Sequence, residues 1–198
     1  IFVNNHNLIS VFGFVNEVKL LLILLIIFLL LLLGIMDDKI SLKPISKSLM
    51  SMILFFSFFL IAKEYQIIEL RFETGNYVLD LFELSLIFSI VSFMVLQIIF
   101  NMYDGINLQS ATYYALIIIH LSLINLDNNF FIFSILTLIY LLYFSISNYK
   151  QKNFLGDNGV YVFSFILSLL IIVTYKNNYS SFFVEDIIVI LFFPTIDM

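Results

Sequence analysis

The sequence predicts an all-α, polytopic transmembrane helix bundle of about seven spans, forming one domain over residues 1–198. Three observations predict it. The chain is 62% hydrophobic and only 12% charged, where a soluble domain carries roughly 25% charge and 45–50% apolar residues. Its mean hydropathy is +1.09, and its apolar runs approach the roughly 20 residues that cross a bilayer. It has 24 Phe, and no Cys to staple a secreted scaffold. A net charge of −5 excludes the basic profile of a nucleic-acid binder.

Seven segments come near spanning length: Leu20–Met36, Lys47–Ala62, Val78–Phe100, Ala111–Leu126, Phe130–Ser147, Gly159–Tyr175 and Asp186–Met198. The second and last are short. A run such as Leu20–Leu33 is apolar all round, so no helical face can be read from it. With no Trp, Tyr must supply any aromatic belt, and only Pro44 and Pro194 can bend a helix. The chain opens on Ile1 with no charged leader and stops just after an apolar run. It reads as an internal piece of a longer protein, truncated at both ends, with Ile1–Val3 as the tail of an earlier span.

Alternating spans give sidedness. The loops Asp37–Ser46, Asn101–Ser110 and Asn148–Asn158 share one side, with Lys39, Lys43, Lys150 and Lys152. The opposite loops hold Lys63, Arg71 and Lys176, offset by Glu64, Glu69, Glu73 and Glu185. The lysine excess marks the first side as cytoplasmic.

Three polar clusters fall on that side. Gly34-Ile-Met-Asp37-Asp38-Lys39 ends the first span, Asn101-Met-Tyr-Asp104-Gly105-Ile-Asn107 ends the third, and Phe154-Leu-Gly156-Asp157-Asn158-Gly159 opens the sixth. One Asp at a span end is usually a solvated boundary residue. Three clusters on one face predict a shared cleft containing Asp37, Asp38, Asp104 and Asp157. Asp37 and Asp38 sit at a helix C-terminus, where the dipole disfavours anions by about 0.3–1 kcal/mol, and they also repel each other. A divalent cation resolves that conflict, and oxygen ligands suit Mg²⁺ or Mn²⁺ better than Zn²⁺. His120 reads as a packed or hydrogen-bonded histidine of the fourth span rather than a ligand, and Glu83 as a residue of the opposite interface.

These motifs resemble the polyprenyl-phosphate N-acetylhexosamine-1-phosphate transferases, membrane glycosyltransferase family 4. The family's Gly-x-x-Asp-Asp element, followed by Leu, Pro and a basic residue, reads here as Gly34, Asp37, Asp38, Leu42, Pro44 and Lys47. Its Asn-x-x-Asp-Gly segment reads as Asn101, Asp104, Gly105 and Asn107, and its Phe-Leu-Gly-Asp-x-Gly segment as Phe154 to Gly159. Pro194-Thr-Ile-Asp197 resembles the Pro-x-x-Asp that precedes the family's cytoplasmic loop. The compact Asp37–Lys47 stretch is more similar to the N-acetylglucosamine-1-phosphate branch.

The resemblance implies transfer of a sugar-1-phosphate from a UDP-N-acetylhexosamine to a polyprenyl phosphate, with release of UMP, in cell-envelope glycan or lipopolysaccharide synthesis. It implies Asp157 as the Mg²⁺ ligand with Asn101 as its partner, and Asp37, Asp38 and Asp104 as catalytic residues. Asn107 and Lys47 would bind substrate. It further implies a bacterial-type plasma membrane, contacts with membrane lipids, no nucleic-acid partner, and a homodimer. Asn107 stands where many members have Asp, and Val160 where a small residue is common. The competing readings are a cation- or proton-coupled transporter and an inactive membrane scaffold. A transporter places its acidic groups near mid-span, whereas here they lie at span ends.

Overall fold

The computed structural model describes residues 17–104, 108–125, 128–149 and 156–196. Among them are seven α-helices: α1 (Glu17–Ile40), α2 (Pro44–Ile61), α3 (Ser85–Tyr103), α4 (Gln109–Ile124), α5 (Asn128–Tyr149), α6 (Gly156–Asn177) and α7 (Val184–Ile196). Strands β1 (Glu69–Phe72) and β2 (Tyr77–Asp80) form an antiparallel hairpin between α2 and α3. The all-α bundle expected from the sequence is present. Among the described residues, four stretches are long and apolar enough to cross a membrane: Val18–Ile40, Pro44–Ile61, Phe82–Tyr103 and Gly156–Asn177. The other three helices are shorter or less apolar, so seven full crossings are not all of equal standing.

The third expected span needs correction at its start. Val78 and Leu79 belong to β2, a 3-10 turn follows at Phe82–Leu84, and the helix begins at Ser85. Backbone pairing wins there: Glu69 pairs with Asp80 and Phe72 with Tyr77 around a turn that uses positive φ at Gly75 (+103°) and Asn76 (+49°). Gly and Asn are the residues that tolerate that turn.

Helix α6 is the hub, with 78% of its spanning window buried, and α1, α3 and α4 all pack on it. In lipid, apolar surface gains little by moving from tails to neighbours, so close packing and interhelical hydrogen bonds must hold the bundle. Both occur. Phe55, Phe58 and Phe59 of α2 interlock with Phe93 of α3 and Phe165 of α6 at centroid separations of 4.9–6.1 Å. Each such pair contributes about 0.5–1.5 kcal/mol beyond burial. Tyr114 and Ser164 share a 2.9 Å hydrogen bond, and Asn125 donates to Thr174 Oγ1 at 2.8 Å, tying the N-terminal part and the end of α4 to α6. Away from the hub, Leu21, Leu24, Leu25 and Phe28 of α1 are exposed, as a lipid-facing surface requires.

The two ends of the bundle differ in character. At the hairpin end, the Arg71 guanidinium lies between the rings of Tyr175 and Tyr179 at 4.0 and 4.3 Å. Glu185, at the start of α7, accepts from Thr74 Oγ1 (2.7 Å) and from the backbone N–H of Glu73 and Thr74. This tie holds the hairpin tip to α7. The end of α1, the start of α2, the end of α3 and the start of α6 meet at the other end.

Candidate active site

Contact between α1 and α6 is set by glycine. A Cβ on Gly34 would lie 2.1 Å from the Cα of Asn158, so only a hydrogen there lets the backbones touch. That contact brings the last turn of α1 beside the first turn of α6. Gly156, at φ +63°, starts α6 in the left-handed region, and a Cβ there would meet Asp38 Oδ2 at 3.0 Å. Two of the motif glycines are therefore steric requirements of the site.

Asp37 and Asp38 are neighbours with different surroundings. Asp37 is 4% exposed and accepts three hydrogen bonds, from Leu42 N (3.0 Å), Lys47 Nζ (2.8 Å) and Tyr161 Oη (2.9 Å). The ladder continues to Ser41, whose N–H donates to the Asp37 carbonyl at 2.8 Å while its φ turns to +52°. Asp38 is exposed, and its Oδ1 accepts the backbone N–H of Asp157 at 3.1 Å. This is a carboxylate at a helix N-terminus, where free N–H groups favour negative charge.

Lys47 joins the two helices. Its ammonium stands 2.8 Å from Asp37 Oδ2 and 3.7 Å from Asp157 Oδ2. The expected residues Asp37, Asp38, Lys47 and Asp157 are thus one cluster, built from the end of α1, the start of α2 and the start of α6. Asn101 borders a small recess shared with Lys47 and Tyr161.

Asp104 stands differently. It caps α3, its N–H reaching the Phe100 carbonyl at 3.1 Å, and its Oδ1 accepts the Ser110 hydroxyl at 2.6 Å. Burial pushes its carboxyl upward from the ordinary value, against the lowering effect of that hydroxyl. Among the described residues no hydrogen bond or ion pair links Asp104 to the other three carboxylates, and no three Asp, Glu, His or Cys side chains form a metal cage by themselves. Asn107, Gly105 and Asp197 lie outside the described residues. Glu83 sits exposed in the 3-10 turn beside the hairpin. His120 is on the exposed face of α4 rather than packed, because Ile117, Ile118 and Leu121 take the buried face.

Two contributors escape a motif reading. Tyr161 follows Asp157 by four residues and so shares its helix face; that spacing was the available signal. Ser110 had none, since the turn that carries it to Asp104 is not encoded in a spacing.

No curated protein and no solved structure matches the chain. A family model does, that of glycosyl transferase family 4, over residues 20–175. This range takes in α1 through most of α6, and with them every described residue of the cluster. The chain belongs to glycosyl transferase family 4, membrane phosphosugar transferases of glycan synthesis that pair a nucleotide-sugar donor with a polyprenyl phosphate acceptor.

Proposed function

We propose that the protein transfers N-acetylhexosamine-1-phosphate from a UDP-sugar to polyprenyl phosphate and releases UMP. The observation that carries this reading is the Lys47 ammonium placed between Asp37 and Asp157, at one end of a lipid-facing bundle. Two anionic substrates must meet there, so cationic charge and ordered oxygens are what the chemistry needs. An oxygen of the acceptor phosphate forms a new bond to the sugar-bearing phosphorus of the donor. The bond from that phosphorus to the UMP oxygen breaks, and its electron pair leaves with UMP.

Mg²⁺ fits the residues present. It is usually held by one or two carboxylates, with waters and substrate phosphates completing its shell. Asp157 and Asp38 are the exposed or partly exposed pair, whereas the Asp37 oxygens are already engaged by three donors. Mg²⁺ there would neutralise pyrophosphate charge. Lys47 would add its own charge to the phosphates, and Asp37 would fix Lys47. Asn101, across the Lys47 recess, supports binding at the same end. An apolar cleft of about 360 Å³ between α3, α6 and α7, bordered by Leu96, Ile171 and Leu191, offers the acceptor's prenyl chain a path along the bundle.

The test is UMP release in membranes containing the protein, with UDP-N-acetylhexosamine, polyprenyl phosphate and Mg²⁺. Asp157→Asn keeps the shape and removes the charge. A loss of about 3 kcal/mol in transition-state stabilisation lowers turnover roughly 100-fold. Wild-type turnover in Asp157→Asn at matched protein levels would overturn the assignment.

A further inference from the structure

Helix α7 carries Pro194 in its interior. Proline has no N–H, so the carbonyl four residues earlier, that of Ile190, loses the donor a helix would otherwise give it. Ile190 and Pro194 are the buried residues of α7, whereas Ile188, Val189, Phe192 and Phe193 are exposed. Within a membrane, a carbonyl freed in this way has to be satisfied by a side chain or a neighbouring helix. Thr195 Oγ1 serves the next two carbonyls from inside the helix, Leu191 at 3.0 Å and Phe192 at 2.7 Å. For Ile190 the donor comes from outside: the Tyr113 hydroxyl of α4 donates to its carbonyl oxygen at 2.7 Å.

The phenol is itself held in place. Its ring lies edge-on to Tyr103 at 5.5 Å and tilted to Phe100 at 6.3 Å. It stands three residues beyond Ser110, whose hydroxyl holds Asp104. The bond therefore joins the carboxylate end of α4 to the middle of α7, where Pro194 has weakened that helix.

Helix α7 packs on α3 and β1 and faces α6 across the apolar cleft of about 360 Å³. Val184, Ile187, Leu191 and Thr195 line that cleft and share a helix face. Glu185 ties the first turn of α7 to the hairpin. Leu191 and Thr195 lie beyond Ile190, so the position of their part of the wall depends on how the second half of α7 is held.

We infer that Tyr113 is a positioning residue: its hydroxyl stands in for the hydrogen bond that Pro194 cannot give, and so fixes α7 as one wall of the cleft. That the cleft takes the acceptor's prenyl chain rests on the proposed transferase reading; the replacement of the missing bond does not. Tyr113 touches neither the carboxylates nor the phosphates, so its loss acts on acceptor binding through α7.

The experiment is a double-mutant cycle on the full chain in membranes, with Tyr113→Phe, Pro194→Ala and the two combined. Pro194→Ala returns an N–H to the Ile190 carbonyl and makes the phenol redundant. The first readout is amide hydrogen exchange across α7, with α2 as the internal standard. Tyr113→Phe is expected to speed exchange about fivefold or more in the native background and to change it less than about twofold beside Pro194→Ala. The second readout is UMP release at varied polyprenyl phosphate. Tyr113→Phe is expected to raise the acceptor KM about threefold or more, with kcat and the donor KM within about twofold of wild type. Exchange unchanged by Tyr113→Phe, or equally fast in both backgrounds, overturns the inference, because the hydroxyl would not be serving the Ile190 carbonyl. Faster exchange with an unchanged acceptor KM overturns the assignment of α7 as a wall of the acceptor's cleft. Absence of UMP release in the wild type would instead strike the transferase reading, and the exchange cycle alone would then decide the role of Tyr113.

Discussion

The Lys47 ammonium lies 2.8 Å from Asp37 Oδ2, an ion pair that bridges the short connection between α1 and α2. The Asp37 side chain is 3% exposed and that of Lys47 23%, so the carboxylate has left water while the cation keeps partial contact. A buried charge in that position depends on its partners. Removing one partner of a buried pair costs more than the pair is worth over apolar residues, because the remaining charge is stranded.

The first prediction follows from that asymmetry. Lys47→Met is expected to lower stability by about 3 kcal/mol, and Tyr161→Phe, which leaves the ion pair intact, by about 1.5 kcal/mol. Thermal unfolding in one detergent checks the ranking. Equal losses would mean that the lysine is no more than a surface cation.

The second prediction concerns the helix contact. At Gly34 the obstructing atom is backbone, the Asn158 Cα, so no rotamer change relieves a clash. Gly34→Ala is expected to push α1 from α6 and cost at least about 2 kcal/mol, with loss of transferase activity. Gly75→Ala, at the hairpin end, meets no atom within 4 Å but is strained by a φ of +103°. It is expected to cost about 1 kcal/mol and to spare activity. Activity retained in Gly34→Ala would count against the close approach.

Much of this site was legible, and the parts that were not have physical reasons. Spacing alone placed Asp37, Asp38 and Asp157 on one end, because a bilayer forces helix ends to one side or the other. It could not separate Asp37 from Asp38: adjacent residues are about 100° apart on a helix, and a helix apolar all round gives no face from which to tell which points inward. The start of α3 was misplaced because Val78 and Leu79 are as apolar as the span they precede. Only the Glu73-Thr-Gly-Asn76 turn, with its residues suited to positive φ, marked a hairpin. Asp104 was expected in the shared cleft; the Ser110 hydroxyl that holds it depends on the α3–α4 connection, which no spacing rule reports.

The third prediction uses that hydroxyl. Burial raises the Asp104 pKa and the Ser110 donation lowers it, so Ser110→Ala raises it further. A carboxyl whose folded pKa exceeds its unfolded value is harder to ionise in the native state. Its folded form therefore loses stability as pH rises from the unfolded value through the folded one, and regains it below. The destabilisation by Ser110→Ala is thus expected to be larger at pH 7 than at pH 4, read as the shift in unfolding midpoint at each pH. The same shift at both values would mean that Asp104 is not the group the hydroxyl serves.

The fourth prediction separates the two adjacent aspartates. Asp37 accepts from a backbone N–H, an ammonium and a phenol, whereas Asp38 is exposed and, among the described residues, accepts from the Asp157 N–H alone. Asp37→Asn keeps the volume but replaces one acceptor oxygen with an NH₂ that faces donors, so at least one of the three bonds must break and Lys47 keeps only the more distant Asp157 as counter-charge. Hydrogen bonds to charged groups are worth about 1.5–3 kcal/mol, and the unfolding midpoint is expected to fall accordingly. Asp38→Asn retains an oxygen for the Asp157 N–H; relief of repulsion at the α1 C-terminus, worth about 0.3–1 kcal/mol, is offset by the charge lost at the α6 N-terminus. Its midpoint is expected to stay near that of the wild type. Turnover is expected to fall in both, by loss of Lys47 alignment in one and of a carboxylate beside the donor phosphates in the other. Restoring stability to Asp37→Asn by lowering temperature is therefore expected to leave its activity low. The decisive comparison is the midpoint: if Asp38→Asn destabilises as much as Asp37→Asn, the two side chains share one environment and the inward assignment of Asp37 is wrong.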